Sequence, residues 1–168
     1  MSTETEGCNV NHKLFVVKDV GFCVVDNFRH AQIVEHHLGR SMRNMALAHS
    51  KPMSWIVTSL VPTLQKLMDK HDAWSGLADE DAKGLNMLIA VGGEIFALQD
   101  DWAVISPREG YTSVGSGSAT ANGALHATAD LADCKKRCYK AVKAAAHHVP
   151  NVAEPVQYLF VKAPERDK

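Results

Sequence analysis

A chain of 168 residues, 46% hydrophobic and 22% charged, is sized and composed for one globular domain that buries a core without disulfides or metal. Lys plus Arg total 18 and Asp plus Glu 19, a net charge of −1 that gives no electrostatic reason to expect nucleic acid or an anionic membrane as partner. No apolar run is long enough to span a membrane, the opening Met1–Glu6 is too acidic for a secretory signal, and Cys8, Cys23, Cys134 and Cys138 form no disulfide framework, so a reduced, cytoplasmic setting is expected.

In chain order, residues 1–12 are polar without periodicity and read as a loose arm, followed by a single domain over 13–162 and a frayed tail at 163–168. Lys13–Val17 and Val20–Val25 are strand-like runs joined by a tight turn at Lys18-Asp19. Asp26 or Asn27 can cap a helix from about Arg29 to Leu38, with Gly39 as its stop. Ile33, His37 and His30 share one side of it, and Glu35 faces away. Gly39–Lys51 reads as a loop or a short helical turn. A longer helix runs from Pro52 to about Asp69, its core face made by Ile56, Leu60, Leu64, Leu67 and Met68. Pro62 should kink or restart it.

After an exposed connection over His71–Lys83 comes a dense β section: Leu85–Val91, Glu94–Leu98, Trp102–Ile105 and Tyr111–Val114. Gly92-Gly93 and Asp100-Asp101 between these runs are hairpin signals, so the strands should be antiparallel. Two helices follow, Ser118 to about Ala129 and Asp133-capped to about His147, the second with an apolar stripe of Cys134, Cys138, Ala141, Val142 and Ala145. Val156–Val161 reads as a closing strand. Strands, helices, strands, helices, strand: this order predicts a layered α+β sandwich rather than a doubly wound parallel sheet.

The chemistry-bearing candidates each have a plain alternative. Gly115-Ser116-Gly117-Ser118 could present a hydroxyl and backbone N–H groups to an anion or a reacting carbonyl, or be a β-to-α turn with Ser118 as helix cap. The stretch fits neither the nucleophile elbow nor a P-loop. Lys13 could lower a neighbouring nucleophile's pKa, or be a solvated strand end. His36-His37 and His147-His148 point about 100° apart on a helix, which suits no chelate, and His30 stands alone; no metal or cofactor is expected. Cys134 and Cys138, four residues apart, read as buried small hydrophobes rather than a redox pair.

Several segments together resemble one family. Lys13-Leu-Phe-Val-Val17, Gly21-Phe-Cys-Val-Val-Asp-Asn-Phe-Arg-His-Ala-Gln32, Leu88-Ile-Ala-Val-Gly-Gly-Glu-Ile-Phe-Ala-Leu98, Tyr111-Thr-Ser-Val-Gly-Ser-Gly-Ser-Ala119 with Gly123-Ala-Leu125, and Lys140–His148 with Glu154-Pro-Val156 resemble, in order and spacing, proteasome-type N-terminal-nucleophile (Ntn) hydrolases. The bacterial and phage proteasome-like proteins, relatives of proteasome β-subunits and HslV peptidase, are the nearest in flavour. The resemblance implies a four-layer αββα sandwich, amide hydrolysis by an N-terminal threonine, and assembly into rings through the helices. It places Lys13 at the family lysine that tunes the threonine, and Ser116 with Gly117 at the serine element that supports the amine.

Departures accompany the match. Twelve residues precede Lys13, too few for the family's first β-hairpin, and no aspartate stands among them. Val25-Asp26-Asn27 occupies a region that is glycine-rich in the family, and Val149 and Val152 fall where an aspartate–serine pair is expected. The sequence therefore reads as a threonine-peptidase relative without its nucleophile, inactive as written: either a shortened form of a longer gene or a non-catalytic pseudoenzyme kept for assembly. A homo-oligomer and a peptide substrate are the partners the resemblance implies; a small-anion binder at Gly115–Ser118 is a third reading.

Overall fold

The computed structural model describes residues 13–25, 27–74, 84–153 and 155–162. The expected arm at 1–12, the expected lack of a first hairpin and the tail at 163–168 fall outside the described residues.

Strands β1 (Leu14–Val17), β2 (Val20–Val24), β3 (Met87–Val91), β4 (Glu94–Leu98) and β5 (Val104–Ile105) form one five-stranded sheet in chain order, every neighbouring pair antiparallel. The turns suit this: Lys18 adopts a left-handed φ of 53° between β1 and β2, and Gly92 and Gly93 take φ of 63° and 83° in the β3–β4 hairpin. Trp102, also left-handed at φ 67°, belongs to the turn after β4, which shortens the expected Trp102–Ile105 strand to Val104–Ile105.

Alternation then decides which face is buried. Phe15, Val17, Val20, Phe22, Val24, Met87, Ile89, Val91, Phe96 and Leu98 lie in one hydrophobic core. It is covered by helices α1 (Phe28–Ser41) and α4 (Val61–Lys70), with α2 (Met45–Ser50), α3 (Pro52–Trp55) and a π-helical turn (Ile56–Leu60) completing that layer. Asn27 caps α1, its Oδ1 accepting from the Arg29 amide at 2.8 Å. Gly39 does not stop α1; the helix continues to Ser41, with Gly39 facing Val17. The expected core face of the Pro52 helix is buried throughout. Pro62 restarts that helix: it sits in the first turn of α4, directly after the π turn in which the Val61 amide bonds Ile56 O. Trp55, fully buried, donates its indole N–H to Arg43 O at 2.8 Å and ties the α2 region to this layer.

The opposite sheet face is apolar but differently covered. Val161 and Leu159 lie over Gly21, where a Cβ would come within 2.5 Å of Val161 Cγ2. Beyond them α5 (Ser118–Ala127) and α6 (Cys134–His148) pack on each other through Ala121, Leu125, Ala141 and Ala145. A cavity of about 740 Å³ lies between these helices and Ala90 and Ile95 of the sheet.

Further expectations are corrected here. Tyr111–Val114 and Val156–Val161 are not strands: Leu159 and Val161 lie across the sheet face, and no strand among the described residues offers either stretch a backbone partner. Cys134 and Cys138 are exposed, because α6 packs through its alanines. His37 is exposed although His30 and Ile33 on α1 are buried.

Candidate functional site

Val24 and Val25 link two of the sequence-nominated elements at one end of the sheet. Lys13 precedes β1, and its carbonyl accepts the Val24 amide at 2.8 Å. The next residue, Val25, reaches the glycine turn: a Cβ on Gly115 would lie 3.5 Å from Val25 Cγ1. Gly115 needs its φ of 95°, and Gly117 is the N-cap of α5, with Ser116 exposed between them. Ser118 is the first helical residue rather than the cap. Its amide bonds Gly115 O at 3.0 Å, and its carbonyl accepts the Ser113 hydroxyl at 2.8 Å. Gly117 is confined: a Cβ would fall 2.9 Å from Ala145 Cβ and 3.0 Å from Val152 Cγ2.

Apolar side chains stand beside these elements. The Lys13 ammonium lies 4.6 Å from the centre of the Phe28 ring, a cation–π contact worth about 0.5–1 kcal/mol at an exposed site. The Val25 amide is bonded to Asn86 O at 3.0 Å and the Asn27 amide to Val25 O at 3.1 Å, so both serve the chain's own carbonyls. Val149 and Val152 join in a turn, Val152 N to Val149 O at 3.0 Å, and Val152 is the side chain that presses on Gly117.

Cys23 was missed by sequence reasoning. It faces Leu14 across β1 and Leu88 across β3. Burial pushes its thiol pKa up, with the Lys13 charge partly offsetting this. The hairpin register, which sets Cys23 opposite Leu14 next to Lys13, was the signal that could have placed it there.

The histidine pairs bring no metal set together: among the described residues no group of three or more His, Cys, Asp or Glu could hold an ion. Nor is any described helix long and apolar enough to cross a membrane.

No protein-family model matches the sequence, and no curated protein matches it. Solved structures do. Thiobacillus denitrificans BPH superposes with a TM-score of 0.66 at 21% identity, over 86% of this chain and 76% of that one. The same protein in complex with epoxomicin gives 0.65 at 21% identity, over 87% and 76%. The chain has a proteasome-type Ntn-hydrolase fold. HslV from Trypanosoma brucei is similar as well, with a TM-score of 0.50 at 18% identity over 80% of this chain and 72% of that one. At these identities the likeness concerns the fold and carries no residue's role across.

Proposed function

We propose that the chain is a proteasome-like relative of the Ntn hydrolases, of threonine-peptidase lineage, whose own residues do not hydrolyse peptide amides. The lineage is supported by the shared fold together with Val24 and Val25, which link Lys13 to the Gly115–Gly117 turn at one end of the sheet. The loss of chemistry is supported by how the groups at that end are engaged. A lysine that tunes a nucleophile needs its charge directed at the reacting oxygen, and an oxyanion needs uncommitted amides. Here the ammonium rests on Phe28, the Val25 and Asn27 amides are engaged internally, and Val152 stands against Gly117.

Epoxomicin, the compound bound in one BPH structure, gives a direct test. Intact-mass measurement after incubation should find the 168-residue chain unmodified; a stoichiometric adduct would overturn the reading.

A second reading, a structural subunit of an oligomeric ring, is favoured by exposed apolar side chains on the helix layer. Met53 and Val57, four residues apart and 40% and 48% exposed, lie on α3 and the π turn that follows it. Native mass spectrometry should record a multimer that Met53→Glu with Val57→Glu dissociates. A monomer at micromolar concentration would dismiss the reading.

A further inference from the structure

The groove between α1 and α4 lies apart from Lys13 and the glycine turn, and its lining is unusual in sign. Arg40 in the last turn of α1, Arg43 just past it, Lys66 and Lys70 from α4, and the imidazoles of His37 and His71 surround a cavity of about 390 Å³, and no carboxylate lines it. The ion pairs among the described residues, His49–Asp19 and His126–Glu109, are elsewhere. His37 and His71 place their rings 4.1 Å apart, a spacing that two imidazolium ions would oppose.

Helix dipoles explain part of this arrangement. Arg40 and Lys70 stand in the last turns of α1 and α4, and Arg43 donates to Arg40 O at 3.2 Å, where positive charge is favoured. They do not explain Lys66 or the histidine pair, nor why all six groups converge on one concavity. Convergent like charge is self-repulsive unless a counter-charge enters. The strain registers at His37, whose pKa lies below the ordinary value: partial desolvation lowers it first, followed by His71, His36, Arg40 and Lys70. The groups facing it from its own helix and from α4 and its end are thus all basic.

We propose that this groove binds a multiply charged oxyanion of the phosphate class. The guanidinium of Arg40 offers a planar fork for two oxygens, Lys66 and Lys70 supply point charges, and the Ser41 hydroxyl adds a neutral donor. The volume admits a short phosphate chain, either inorganic or carried by a nucleotide. A bound anion favours the protonated form of His37, so binding raises that residue's pKa toward the ordinary range.

Calorimetric titration of the full chain at low salt, with tripolyphosphate in one arm and ATP in the other, tests the proposal, alongside NMR titration of the His37 ring. The expected result is saturable binding that weakens by about tenfold or more in Lys66→Gln/Lys70→Gln and in Arg40→Gln. The His37 pKa should rise on binding, and Lys140→Gln, which removes one charge from exposed α6, should leave affinity unchanged. ATP binding as tightly as tripolyphosphate or tighter assigns the chain of phosphates to a nucleotide; weaker ATP binding assigns it to the inorganic form. Absence of saturable binding in both arms overturns the proposal. So does an equal loss in Lys140→Gln, or a His37 titration that the ligand does not move.

Discussion

At the scale of single residues, Gly21 and His37 carry the clearest consequences. Gly21 lets Val161 and Leu159 lie directly on β2, and a Cβ there would meet Val161 Cγ2 at 2.5 Å. Gly21→Ala should therefore cost about 1–3 kcal/mol of unfolding free energy by overpacking, measurable by urea denaturation. Val161→Ala in that background should recover part of the loss. For His37, the folded-state pKa lies below the ordinary 6.5, so the unfolded chain takes up the proton first as pH falls. Its contribution is neutral above that range and destabilising as pH drops through it. His37→Gln should accordingly lose less stability than the wild type between neutral and mildly acid pH, in the absence of added polyanion. Neither effect was legible in the sequence. Gly21 reads there as one residue within a strand, and the basic neighbours of His37 become neighbours only when α1 and α4 pack side by side.

At the scale of elements, the two sides of the sheet differ in how firmly they are held. α1, α4 and the residues between them share a core with ten strand side chains, including Phe15, Phe22 and Phe96. The α5–α6 pair has its own small cluster, Ala121, Leu125, Ala141 and Ala145, beside a cavity. Few buried apolar contacts imply a low local opening energy. Native-state hydrogen exchange should find α5 and α6 amides exchanging through a subglobal opening, well before those of β2, β3 and α4. Equal protection in both sets would count against this division. The same contrast separates what sequence patterns reveal from what they hide. The apolar, β-prone runs Leu14–Val17 and Met87–Val91, and the repeating face Ile56, Leu60, Leu64, Leu67, specify strands and helix, and in the structure one side of each is buried. Tyr111–Val114 and Val156–Val161 carry equally β-prone residues but have no partner strand among the described residues, and backbone pairing is not written in composition. Asp133 and Asn27 announced the starts of α6 and α1 through side-chain chemistry, whereas Gly39 misled because a helix tolerates glycine when a neighbour such as Val17 crowds the site.

At the scale of the whole molecule, a layered α+β architecture was legible from element order, and the structural likeness to BPH and HslV agrees with it. Of the candidate site, Lys13 and Gly115–Gly117 were nominated from local sequence; that Val25 joins them required the fold, as did Phe28 under the Lys13 ammonium and Val152 against Gly117. The sheet and the helix layer over it are well packed, and Val25, Val152, Ala145 and Phe28 stand beside the two nominated elements at one end of the sheet. The most direct measurement is turnover of fluorogenic peptide amides by the 168-residue chain and by Lys13→Ala. The account predicts that both release fluorophore at the buffer rate. Turnover that epoxomicin blocks and Lys13→Ala abolishes would contradict it.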